Sequence, residues 1–252
     1  MGAVRCFGSA PGVNFRIILI AVLLLFCWQA GPAGAAPSEN QLRGEERARI
    51  LERIRERRRN VTAVRATVVQ RKRHPLLKTD AVSEGTLLFQ SPDRVRWEVR
   101  RPEHTIIAID GNTLLTYHPD TKEAERRDLR DEFGTRAALD FFASGMSLTL
   151  AELERRFQVE LYRESGRLLL LLTPRSPWVA QVVASVAIYQ REEDALPEQI
   201  VVTGQKGDRT ETTLTNVVLN PQIPEDAFAL RFGPEVRVTD VRKPTGDRGS
   251  DR

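Results

Sequence analysis

A mainly β protein with a few helices (α+β), organised on antiparallel strands, is what this 252-residue sequence encodes. Three observations carry that reading. Short runs alternate with a period of two, as in Val64, Ala66 and Val68 against Arg65, Thr67 and Val69, the mark of strands with one dry and one wet face. Compact turns separate the runs, among them Ser91-Pro92-Asp93, Arg101-Pro102-Glu103 and the strong hairpin signal Asp110-Gly111. Strand follows strand without the regular helical crossovers that a parallel sheet needs.

The elements follow in order. Residues 1–35 hold two charges, Arg5 and Arg16, then the apolar run Ile17 to Trp28 and the small-residue ending Ala33-Gly34-Ala35. This reads as a cleavable secretory signal peptide cut before Ala36, because the run falls short of the roughly 20 apolar residues that span a bilayer. Gln41 to Asn60 follows as a helix, with Leu42, Ile50, Leu51 and Ile54 as its apolar stripe. Its acids lie early and Arg57-Arg58-Arg59 late, as the helix dipole favours. Strands begin at Val61. Leu87 and Phe89 alternate, and Val95, Trp97 and Val99 alternate with Arg94, Arg96, Glu98 and Arg100. Thr135 to Ala143 is helical, with Phe141-Phe142 on it, and Thr149-Leu150-Ala151-Glu152 has capping-box spacing for a second short helix through Phe157. Strands resume at Val159–Arg163, Leu168–Thr173, Val182–Gln190, Gln199–Gln205, Thr210–Leu219 and Ala227–Phe232. Residues 36–240 form one domain, and 241–252 read as a flexible tail.

Composition narrows the function. Both cysteines, Cys6 and Cys27, leave with the leader, so the mature chain has no disulfide, thiol nucleophile or cysteine metal site. Without Arg5 and Arg16, 36 basic residues interleave with 34 acidic ones; a nucleic-acid binder would concentrate one sign. Three histidines, His74, His104 and His118, match no metal-ligand spacing. No nucleophile elbow, zinc helix, phosphate loop or dinucleotide fingerprint is present, so neither an enzyme nor a bound cofactor is expected. Asp110 belongs to turn geometry. Period alone leaves two structures open: a core filled by its own side chains, or a sheet curved around a dry hollow.

The run GTLLFQSPDRVRWEVRRPEHTIIAIDGNTLLTYHPD (Gly85 to Asp120) resembles the signature region of the LolA-type periplasmic lipoprotein carriers. ATVVQRK (Ala66 to Lys72) is similar to that family's first strand, and LLLTPR (Leu170 to Arg175), the Gly207–Thr210 turn, Thr215–Leu230 and Gly233–Val238 follow in family order. The resemblance implies an incompletely closed, strongly curved antiparallel half-barrel of about eleven strands, with helices as a lid over an apolar cavity. It implies a carrier that takes acylated lipoproteins from an inner-membrane ABC transporter to an outer-membrane receptor, as a monomer, without covalent chemistry. Val68, Leu87, Phe89, Val95, Trp97, Val99, Ile107, Ile109, Leu115, Leu170, Val186 and Ile188 would line the cavity, and Phe141, Phe142 and Met146 would belong to the lid.

One departure matters. Where the family carries a lid-latching arginine before the signature proline, this chain has Ser91, and alternation aims Arg94 and Arg96 to the wet side. A serine lacks the reach and charge of that arginine. A paralogue carrying another lipid or glycolipid, and a lipid-sensing regulatory module, stay open beside lipoprotein transport.

Overall fold

The structure, a computed structural model, describes residues 40–130 and 150–241. The leader, the helix expected at Thr135–Ala143 and the tail beyond Val241 lie outside the described residues. The strands are β1 (Gln41–Leu42), β2 (Ala63–Arg73), β3 (Ala81–Gln90), β4 (Arg94–Arg101), β5 (Thr105–Asp110), β6 (Thr113–His118) and β7 (Glu123–Asp128), then β8 (Phe157–Glu164), β9 (Arg167–Pro174), β10 (Val183–Gln190), β11 (Gln199–Gly204), β12 (Arg209–Leu219) and β13 (Arg237–Asp240). The helices are α1 (Gly44–Arg58), α2 (Leu150–Arg156) and α3 (Pro177–Ala180).

All thirteen strands join one sheet in the order β1-β8-β9-β10-β11-β12-β2-β3-β4-β5-β6-β7-β13. Among the described residues its two ends are not paired with each other, so the sheet stays open. Neighbours are antiparallel except β13, which lies parallel to β7. Hairpins explain most of this order, since a chain reversing through a tight turn must pair with what precedes it. At Asp110 the two-residue reversal through Gly111, with φ of +58°, sets Asp110 opposite Thr113.

Helix α1 buries Ile50, Leu51 and Ile54, with Glu45 and Glu46 in its first turn and Arg55, Arg57 and Arg58 in its last. That apolar stripe packs with Leu42, Leu161, Leu172 and Val186, and so covers one face of β8, β9 and β10. A second cluster joins Val64, Ala66, Val68, Phe89 and Leu214, with Leu196 from the β10–β11 loop tucked against it. A third joins Ile107, Ile109, Leu114 and Leu129.

Among the described residues the sheet has thirteen strands, close to the eleven or so expected, with the short β1 and β13 at its two edges. Two expectations need correction. Gln41 and Leu42, expected to open the helix, pair with β8 as strand β1, so the helix begins only at Gly44. And Ala227–Phe232 is not a strand. There the amides of Ala227 and Ala229 turn back onto the carbonyls of Pro224 and Asp226, which removes them from any ladder. The segment instead crosses the other face of the sheet: Phe228 is buried, the Phe232 ring sits 4.9 Å from that of Tyr117, and Arg96 donates to the Ala227 carbonyl at 3.2 Å. This cover explains why Ile106 and Ala108, on that face, are buried too.

Candidate functional site

Cross-strand partners in an antiparallel pair project to the same face, so the register traces the side that α1 covers. One row runs Leu42, Leu161, Leu170, Ile188, Ile200, Thr212, Gln70 and Ser83. The next toward one end of the strands is Val159, Leu172, Val186, Val202, Thr210 and Lys72. Farther toward the other end, Leu214, Val68, Gly85, Val99 and Thr105 form a row, then Ala66, Leu87, Trp97, Ile107 and Thr116, then Val64, Phe89, Val95, Ile109 and Leu114. This inner face is apolar over most of the sheet.

Burial divides it into two layers. Val68, Phe89, Val99, Ile107, Ile109 and Val186 are buried, Phe89 completely at 0% exposure. They form a floor. Leu87, Val95, Trp97, Leu170 and Ile188 stand on the same face and stay only partly buried, as do Ile200 and Val202. With Phe157 at the start of β8, those seven side chains form the apolar surface that the inner face still presents among the described residues. The Trp97 indole packs against two of the clusters, and its Nε1 is buried without a hydrogen-bond partner among the described residues.

Gly85 allows the strands to approach closely at the middle of this face. A Cβ there would lie 2.1 Å from the Glu98 carbonyl oxygen, and the β3–β4 register shifts at that point.

The two ends of the inner face differ. At one end the Arg58 guanidinium donates to the Ala195 carbonyl and to Gln190 Oε1, each at 2.7 Å, and Gln190 Nε2 donates to the Asp194 carbonyl at 2.6 Å. Burial lowers the Arg58 pKa to about 10, which leaves it charged at neutral pH. These bonds fix the β10–β11 loop across that end. At the opposite end the face turns polar on β2 and β12, at Gln70, Thr212, Thr210 and Lys72, while β8–β11 stay apolar through Val159, Leu172, Val186 and Val202, and burial lowers the Lys72 pKa to about 8. Arg47 ties the start of α1 to this end, donating to Glu154 on α2 at 2.5 Å and to the Val159 carbonyl at 3.1 Å.

One expected lining residue is misplaced. Leu115 pairs with Ala108, on the face opposite Ile107 and Ile109. Leu114, buried and opposite Ile109, takes its place. The signal was available: a two-residue turn after Asp110 fixes Thr113 as its partner and Leu114 as inward. Sequence reasoning also passed over Leu161, Leu172, Ile200, Val202 and Leu214, whose alternation marks them equally well. Phe141, Phe142 and Met146 lie outside the described residues. Arg94 and Arg96 do project outward, Arg94 to Asp110 at 3.0 Å, and Ser91 is exposed.

Residues 59–231 match the family described as outer membrane lipoprotein carrier protein LolA. The outer-membrane lipoprotein carrier protein of Bordetella avium is 26% identical over 155 residues, which cover 61% of this chain and 69% of that protein. The protein so named in Legionella pneumophila is 24% identical over 183 residues, 73% of this chain and 83% of the relative. A crystal structure of a LolA superfamily protein from Nitrosomonas europaea aligns over 72% of this chain and 96% of its own, with 13% identity and a TM-score of 0.39. From the family match, which spans both the signature strands and the rows that meet them across the sheet, we conclude that this chain belongs to the LolA family.

Proposed function

We propose that this protein is a carrier of acylated lipoproteins, which holds their acyl chains against the inner face of its sheet while they cross the periplasm of a Gram-negative cell. The observation that carries the proposal is the band of partly buried apolar side chains, Leu87, Val95 and Trp97 on one side and Leu170, Ile188, Ile200 and Val202 on the other. The two groups stand on the same face of one sheet and stay only partly covered, so each leaves apolar surface for a guest. Each acyl methylene taken from water contributes about 0.8 kcal/mol, so a dozen of them offset the cost of ordering a chain on this surface. The contacts are non-directional, and a better apolar site can draw the chain away without any bond being broken.

In this reading residues 1–35 direct export, 36–240 form the carrier, and Phe141, Phe142 and Met146 close over the guest. An inner-membrane ABC transporter loads the carrier and an outer-membrane receptor empties it, with the protein acting as a monomer. The test is native mass spectrometry of the mature protein released directly from the periplasm. It should carry mass corresponding to an acylated lipoprotein. A bare polypeptide mass under conditions that preserve apolar complexes would contradict the reading.

A further inference from the structure

The proposed hollow is not apolar throughout. Along β2 the inward positions read Val64, Ala66, Val68, Gln70 and Lys72, and along β12 the facing positions read Leu214, Thr212 and Thr210. The change from hydrocarbon to polar groups takes one step of the strand, about 7 Å. Gln70 stands at that step, next to Val68 and opposite both Thr212 and Ser83. It is only 6% exposed. Its Nε2 donates to Thr212 Oγ1 at 3.2 Å, and its carbonyl Oε1 is buried without a partner among the described residues.

An unmet acceptor at such a depth is costly, of the order of a whole hydrogen bond, and a sheet position facing Thr212 and Ser83 could hold an apolar residue without that cost. A ligand that brings its own donor removes it. The donor must sit where a guest's acyl chain ends on this part of the face, because Gln70 lies where the apolar positions of β2 and β12 end. At that point of a lipid the chemistry is limited. An ester linkage presents only acceptors, whereas an amide linkage presents an N–H.

We propose that Gln70 is a specificity residue for amide-linked acyl chains, its Oε1 accepting the N–H at the junction between the chain and the polar part of the cargo. The inference rests on the carrier reading and sharpens it: an N-acylated cargo is favoured over one whose chains are attached only through esters. Thr212 holds the carboxamide in the orientation that turns its oxygen toward the guest, and Thr210 and Lys72 continue the polar end beyond it.

The test uses two probes that differ in one group, N-palmitoylglycinamide and the palmitoyl ester of glycolamide, each displacing a fluorescent fatty acid from the mature protein. The wild type should bind the amide about tenfold more tightly than the ester. Gln70→Leu should abolish the preference and bring the two probes to equal affinity. Equal affinity of the wild type for both probes overturns the role of Gln70 while leaving the carrier reading in place, and so does a Q70L protein that retains the preference. Binding of neither probe by the wild type overturns the carrier reading and this inference with it. The wild-type comparison stands without the variant, so a misfolded Q70L does not protect the claim.

Discussion

Trp97 offers the sharpest separation between a side chain that holds the fold and one that holds a guest. It sits mid-strand on β4, flanked across the sheet by Leu87 and Ile107, and is partly buried between two apolar clusters. A tryptophan buries roughly 150–250 Å² of surface when fully covered. If about a third of that remains for an acyl chain, the contact is of the order of 60 Å², which at about 25 cal/mol per Å² contributes about 1.5 kcal/mol. Trp97→Ala should therefore weaken binding of a long-chain fatty acid about tenfold. Trp97→Phe should bind nearly as tightly as the wild type and lose only the stability of the smaller ring's packing, about 1 kcal/mol, since the indole Nε1 has no hydrogen-bond partner among the described residues to forfeit. Trp97→Glu should abolish binding, because a carboxylate would have to be desolvated against the chain. Fluorescence displacement at fixed protein concentration measures all three, with circular dichroism and thermal melts confirming the fold. A folded Trp97→Ala protein that binds as tightly as the wild type would refute the reasoning.

Phe89→Ala, by contrast, removes a wholly buried floor residue and should cost about 3–5 kcal/mol in urea unfolding, while the fraction that remains folded binds lipid normally. Gly85→Ala forces a Cβ to within 2.1 Å of the Glu98 carbonyl oxygen, and should cost about 1–3 kcal/mol as an overpacked site. Lys72 gives a pH dependence. Burial lowers its folded pKa from 10.5 to about 8, so the native state binds this proton less tightly than the unfolded chain, and stability rises as pH increases from about 8 to about 10.5. Lys72→Met should abolish that rise, leaving stability flat with pH between about 8 and about 10.5 as far as this residue contributes.

Much of the strand framework was legible because period-two alternation and turn chemistry are local. Ser91-Pro92-Asp93, Arg101-Pro102-Glu103 and Asp110-Gly111 each separate strands that do pair as hairpins. Helix α1 was legible from its stripe and its charges, with ends at Gly44 and Arg58 inside the expected span. What escaped notice depends on register or on distant neighbours. Leu114 and Leu115 are chemically identical, and only the pairing of Asp110 with Thr113 says which one faces inward. Ala227–Phe232 carries the apolar content of a strand, yet its amides close local turns, and the segment packs side chains rather than backbone against the sheet. The parallel β13 joins residues more than a hundred positions apart in sequence, and no local pattern announces such a partner.

The candidate site was legible in part for the same reason. Alternation placed Val68, Phe89, Val95, Trp97, Val99, Ile107, Ile109, Val186 and Ile188 on one face, and the register brings them together. It could not distinguish floor from wall, because burial depends on α1 and on the β10–β11 loop, which reach the face from elsewhere in the chain. Gln70 gave no sign of its unusual state either. A glutamine in a strand is ordinary until its oxygen is found buried without a donor.

The most direct test of the account is photo-crosslinking in the periplasm of the producing cell, with a benzophenone amino acid placed at Trp97 on the inner face or at Thr67, which alternates to the other face. The account predicts that position 97 captures acylated lipoproteins and position 67 does not. Capture at both positions alike, or at neither in protein shown to be folded, would contradict it.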